Sequence, residues 1–224
     1  MDYLLRNIDN NEYLTYFILA SLILVMYIKQ LYRYQFEELL NLPAYGKYFI
    51  LYNKTDKKKN LFNLLFFIFF TINISIYISI SFTSLEFLPK NDLNYFLAIF
   101  LLTNSYFIIK HLIEKLIFNI FDLNNLFDNY NFQKLTCINF IGLLFFLTNL
   151  VFLYIETNPS NFLVYLSIGL FFLAYLISII IIVLYNQKKF LKHWFYFILY
   201  ICTLEIAPFI IGAVLIQYNL LNNL

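Results

Sequence analysis

Six stretches of this 224-residue chain, 13–31, 61–85, 93–109, 135–155, 162–185 and 194–218, are dominated by apolar residues. A helix needs about 20 such residues to cross a hydrocarbon core about 30 Å thick. Inside that core no water is available to an unpaired N–H or C=O, so segments of this kind cross as helices that bond their own backbone. The chain is therefore expected to be all-α: a single polytopic transmembrane helical bundle of about six spans over 1–224, with a cytoplasmic segment at 32–60. The third stretch is short by itself. It is expected to continue as an amphipathic helix through His111, Glu114 and Lys115 while emerging into the interface.

The composition excludes an aqueous surface. Hydrophobic residues make up 62% of the chain and charged residues 12%, with a mean hydropathy of +0.74. Soluble domains average about 45–50% and about 25%. A net charge of +2 is too small to point to nucleic acid, so the expected partners are the lipid bilayer and other membrane protein subunits. The abundance of Phe, Tyr, Ile and Asn suggests an AT-rich genome and says nothing about mechanism.

Charge orients the spans. Lys29, Arg33, Lys47, Lys54, Lys57, Lys58 and Lys59 lie in or beside the first loop, Lys110, Lys115 and Lys134 in the third, and Lys188, Lys189 and Lys192 in the fifth. Only Arg6 and Lys90 fall on the other side. The positive-inside rule places those three loops in the cytoplasm and both termini outside. The start is acidic, its basic residues follow the apolar run, and no small-residue cleavage site appears, so no cleaved signal peptide is expected. Trp194, after Lys192 and His193, suits an interfacial anchor. Between the first two spans, Phe36, Leu39 and Leu40 recur at helical spacing, which predicts an interfacial helix or an extension of the first span, broken by Pro43 and Gly46. Lys54 to Lys59 form a solvated basic turn.

Glu205 is the first candidate for function, because it lies in the middle of the last apolar run without a Lys or Arg within a helical turn. An ionisable group at membrane depth costs at least about 2.5–3.5 kcal/mol on insertion scales, so it marks a functional site unless a partner neutralises it. Pro208 removes the N–H that would bond the carbonyl of Leu204, which kinks the helix and frees an acceptor. With Cys202 and Thr203, this makes a buried polar site suited to a proton relay, an ion ligand or a docking carboxylate. The plainer reading is a protonated Glu205 hydrogen-bonded to Asn104, Ser105, Asn139, Thr148 or Asn149 on another span. Cys137 and Cys202 are expected to be apolar packing residues.

The second candidate is a cytoplasmic interface formed by Lys110, His111, Glu114 and Lys115, with His193 from the fifth loop. His111 and Glu114 have the spacing of a metal-binding pair but lack a third ligand, so snorkelling charges are expected and no metal. No catalytic motif, dinucleotide fingerprint or phosphate loop is present, so neither enzyme activity nor a cofactor is expected. Four glycines, at 46, 142, 169 and 212, give no GxxxG contact, so large side chains are expected to do the packing. The halves share no pair of broken helices that would suggest an inverted-repeat transporter.

The C-terminal stretch Phe195-Tyr-Phe-Ile-Leu-Tyr-Ile-Cys-Thr-Leu-Glu-Ile-Ala-Pro208 resembles the ending of a family of Bacteroidota inner-membrane proteins known as a domain of unknown function. Phe36-Glu-Glu-Leu-Leu40, Lys47-Tyr-Phe-Ile-Leu-Tyr-Asn-Lys54 and Tyr130-Asn-Phe-Gln-Lys-Leu-Thr-Cys-Ile-Asn139 are similar to its other segments. The resemblance implies a bacterial inner membrane and singles out Cys202, Glu205 and Pro208. It implies no reaction. The expected function is a non-catalytic subunit or assembly factor of an envelope complex, such as a secretion or translocon machine. The alternatives are a proton- or ion-coupled transporter or channel using a buried Glu, and an accessory subunit of a respiratory complex in a mitochondrial inner membrane.

Overall fold

A computed structural model describes residues 12–40, 57–85, 93–120, 124–156 and 159–185, and the stretch 194–218 lies outside them. The described residues form helices α1 (Glu12–Leu31), α2 (Arg33–Leu40), α3 (Lys57–Ser84), α4 (Leu93–Ile120), α5 (Asn124–Leu150) and α6 (Asn161–Tyr185), with no strand among them. All but the short α2 are long and apolar enough to cross a membrane. Their ends follow local chemistry. Ser160 accepts a 3.4 Å hydrogen bond from the Leu163 N–H and caps α6. The last turn of α5 widens into a π-helical turn, Val151–Ile155, closed by the Glu156 N–H on the Val151 carbonyl. Backbone bonds run through Tyr32, so α2 extends the first span. It buries Phe36 and Leu39 and leaves Leu40 exposed.

The helix α3 is the centre of the bundle. Of its membrane-crossing window 56% is buried, against 6% for α4 and for α6. The reason lies in its sequence, where Thr71, Asn73, Ser75, Tyr77, Ser79 and Ser81 alternate with Ile72, Ile74, Ile76, Ile78 and Ile80. In water this period of two would read as a strand. On a helix each two-residue step turns by about 200°, so successive polar residues fall on opposite sides. Asn73 and Tyr77 share one side, toward α5 and α6, and Ser75 takes the other, toward α4. Asn149 of α5 donates to the Asn73 carbonyl at 2.8 Å, and the Tyr77 and Ser167 hydroxyls lie 2.6 Å apart. The Ser75 and Thr103 hydroxyls lie 2.7 Å apart. One helix thereby makes polar contacts with three neighbours.

The helices α3 and α5 are parallel and in register. Asn139 donates to Asn63 at 3.2 Å, and that pair is separated by 76 residues, as is Asn73 from Asn149. A constant offset means that both helices advance in the same direction, as two spans with one crossing between them must. Gly142 sets their spacing, since a Cβ there would stand 3.2 Å from Phe70 Cβ and 3.3 Å from its Cα.

The core falls into two layers along the bundle axis. One layer takes Leu14 and Ile18 from the start of α1, Phe70 to Ile80 from the second half of α3, Phe96 from the start of α4, and Phe145 and Phe152 from the end of α5. The other takes Ile28, Phe62, Phe66, Phe118 and Tyr130, with Ile182 near the end of α6. Each span enters in one layer and leaves in the other, so the five alternate in direction. Aromatic pairs fill both layers, as the scarcity of glycine predicts. Examples are Phe145 on Phe171, with centroids 4.0 Å apart, and Phe62 on Phe66 at 4.9 Å.

Gly142→Leu is expected to destabilise the bundle by about 1–3 kcal/mol, because the side chain must displace Phe70 or part α3 from α5. Gly169→Ala, whose new methyl meets nothing within 4 Å, is expected to be neutral or stabilising by up to about 1 kcal/mol, the difference in helix propensity. Equilibrium unfolding in mixed micelles checks both. Equal effects at the two glycines would contradict the tight α3–α5 seam.

Candidate functional site

The helix α4 continues past Ile109, as expected, and runs to Ile120, but within the cluster at its end Glu114 is not a snorkelling charge: it is buried, with 1% of its surface exposed. The helix α5 begins at Asn124, so Lys134 lies inside a helix rather than in the third loop and is 9% exposed. These two extensions meet. Lys134 Nζ donates to Glu114 Oε1 in a close ion pair that ties α4 to α5. His111 and Lys115, on the same helix as Glu114, remain exposed.

Both residues lie within stretches long and apolar enough to cross a membrane, Glu114 in Leu93–Ile120 and Lys134 in Tyr130–Ile155. Aromatic rings close the pair off. Lys134 Nζ lies 5.8 Å from the Tyr130 ring centroid, Tyr130 stacks on Phe118 at 6.1 Å, and Phe118 meets Phe127 at 5.3 Å. The His111 ring covers Phe127 from outside at 5.8 Å. On the far side of Lys134 is a cavity of about 10 Å³ between α5 and α6, lined by Tyr130, Lys134, Cys137, Tyr175 and Ser178 together with isoleucines. That is about the room one water molecule needs.

The chemistry available here is that of a neutralised pair. Each charge is desolvated, and each makes the other tolerable. Together they can fix the register of two helices.

The other predicted positions divide into two groups. Glu205, Cys202, Thr203, Pro208 and His193 lie outside the described residues. The side chains proposed as partners for Glu205 each donate one hydrogen bond within the described bundle: Asn104 to the Phe100 carbonyl at 2.7 Å, Ser105 to Leu102 at 2.9 Å, Thr148 to Leu144 at 3.0 Å, and Asn139 and Asn149 to α3. The buried Oδ1 atoms of Asn139 and Asn149 have no hydrogen-bond partner among the described residues, so both can still accept from a protonated carboxyl. Cys137 is buried beside the cavity, as a packing residue would be. Among the described residues no three His, Cys, Asp or Glu side chains converge as a metal site would require.

The family model for Domain of unknown function (DUF4271) matches residues 14–216. The chain belongs to the DUF4271 family. The match takes in the whole α1–α6 bundle except its first residues, and also the stretch with Cys202, Thr203, Glu205 and Pro208. The chain matches no curated protein and no solved structure.

Lys134→Met, which leaves the Glu114 carboxylate buried alone, is expected to cost about 3–5 kcal/mol of stability. Adding Glu114→Met should recover most of that loss, because two apolar side chains of similar volume replace a pair that is itself near neutral in stability. A double-mutant cycle read by thermal unfolding in detergent checks this. Additive losses would mean that the two side chains do not interact.

Proposed function

We propose that this DUF4271 protein is a non-catalytic integral membrane subunit or assembly factor of a larger envelope complex, of the kind that secretion and translocon machines contain. The reading places it in the cytoplasmic membrane of a bacterium, with the lysine-rich end inward and both termini outward. One observation carries it. The bundle has a polar, hydrogen-bonded centre in α3, while in α4 and α6 only 6% of each window is fully buried. A helix held so lightly by the other described helices suits contact with neighbouring spans of other subunits. The polar side chains inside support the same reading, because they join helix to helix. Asn63, Asn73, Ser75 and Tyr77 each meet a residue of another span.

A second reading, proton- or ion-coupled transport through a buried carboxylate, is favoured by the Glu114–Lys134 pair, which puts an ionisable couple inside two apolar spans.

Gentle detergent extraction at native expression is expected to bring down one or more membrane proteins in fixed stoichiometry, identified by mass spectrometry. A monodisperse monomer under those conditions overturns the subunit reading. Proton or ion flux by the chain alone in liposomes, abolished by Glu114→Gln, would favour the second.

A further inference from the structure

One stripe of α3 meets different surroundings in its two halves. Leu61, Leu64, Ile68, Thr71, Ser75 and Ser79 recur in steps of three and four and so share a face of the helix. Thr71, Ser75 and Ser79 are 2%, 0% and 4% exposed. Here α4 crosses the stripe: its Thr103 hydroxyl meets Ser75, and its Phe96 packs on Tyr13 and Phe17 of α1. Leu61, Leu64 and Ile68 are 56%, 55% and 39% exposed. The helices α1 and α4 therefore close over the far half of the stripe and stand apart over its lysine-side half. The antiparallel register of Ser75 with Thr103 puts Lys110 level with Ile68, seven residues along each helix in opposite directions. On α1, the Tyr32 ring meets Phe62 edge-on at 5.7 Å, which brings exposed Tyr27 and Leu31 to the level of the same open half. The result is a wedge-shaped groove floored by Leu61, Leu64 and Ile68, open toward the lysine-rich end.

We propose that this groove holds one anionic phospholipid, with an acyl chain against Leu61, Leu64 and Ile68 and the phosphate at the lysines of the mouth. Length is the first argument. From Leu61 to Ile68 the floor advances about 10 Å, roughly a third of a hydrocarbon core about 30 Å thick. From Thr71 onward the stripe is covered. A helix of another subunit crossing the whole bilayer would be pushed off by the closed half, whereas a lipid chain enters from one leaflet only.

Charge is the second argument. The helix α3 opens with Lys57, Lys58 and Lys59, one turn before Leu61, so a basic start and the apolar floor belong to one helix. Of the described acids at this end, Glu114 is held by Lys134 and Glu37 by Arg33. That leaves Glu38 and Asp128 against Lys29, Lys57, Lys58, Lys59, Lys110 and Lys115. Such an excess of lysine draws an anionic headgroup, whose phosphate accepts hydrogen bonds from ammonium groups. The subunit reading is not needed for this, because a lipid in the groove and a partner on the outward faces of α4 or α6 occupy different surfaces.

Native mass spectrometry of the full chain, released from a non-ionic detergent with phosphatidylglycerol and phosphatidylcholine of identical chains in equal amount, tests the proposal. One phosphatidylglycerol per chain is expected to be retained at least about fivefold above phosphatidylcholine, the effect of a single lysine at an anionic surface. Leu64→Trp, which fills the floor, is expected to lower retention, and Leu61→Trp takes its place if that variant does not fold. Leu101→Trp, at an outward position of α4 that is 67% exposed, is expected to change nothing. Replacing Lys57, Lys58 and Lys59 together by Gln is expected to bring the two lipids level. Equal retention of both lipids by the wild type overturns the proposal, as does undiminished retention in the Trp variants or an unchanged preference in the lysine variant. A photoreactive residue in place of Leu64 is expected to capture phospholipid in cells. Capture of a protein there, whether a partner span or a second copy of this chain, gives the groove to that protein and overturns the proposal as well.

Discussion

The arrangement rests on the seam between α3 and α5. In lipid there is no hydrophobic force between helices, because acyl chains are as apolar as leucine. Close packing and interhelical hydrogen bonds must supply the association. This seam has both. Gly142 lets the α5 backbone approach Phe70, and Asn139 and Asn149 reach α3 at two levels separated by ten residues. Because two asparagines bond at one offset, sliding either helix by a turn would leave amide groups unpaired in hydrocarbon. The seam therefore fixes register as well as contact. The first span packs on the same α3, α4 joins it through Ser75 and Thr103, and α6 joins it through Tyr77 and Ser167.

Hydropathy was enough to read the existence of the described spans, because the bilayer imposes a length and forbids unpaired backbone. It was not enough to place their lysine-side ends. The helix α5 starts eleven residues before the apolar run that marks it, and α4 runs eleven residues past its own. Hydropathy weighs each residue alone, so Lys134 reads as part of a loop, and Glu114, though placed on the continuing helix, reads as an interfacial charge and not a buried one. They are twenty positions apart in sequence and meet only when two antiparallel helices fold together. One signal was available: a carboxylate and an ammonium placed symmetrically about a short connection are brought level by an antiparallel helix pair. The polar alternation in α3 was equally visible, but a period of two carries no helical face. Only the neighbours on both sides give it meaning.

The two ends of the bundle are held by different means. Toward the Leu14–Phe96 end, α4 is fixed by packing: Phe96 lies 4.6 Å from Phe17 and 5.8 Å from Tyr13, ring to ring. Contacts of that kind do not respond to protons. Toward the Lys134 end, the same helix is fixed by Phe118 and by the buried Glu114–Lys134 ion pair. Amphipathic Lys29 adds to the contrast, with its ammonium 6.0 Å from the Phe36 ring at the surface of the same layer.

That asymmetry bears on the proposed subunit role. The helix that carries Glu114 also presents one of the most outward surfaces of the bundle, from Leu97 through Leu101 and Ile109 to Leu116. A neighbouring subunit seated on α4 would rest on a helix fastened at one end by rings and at the other by an ionisable pair. Loss of either charge would leave the other buried and unpaired, so the pair does more than tolerate its own burial: it holds the end of that surface against α5.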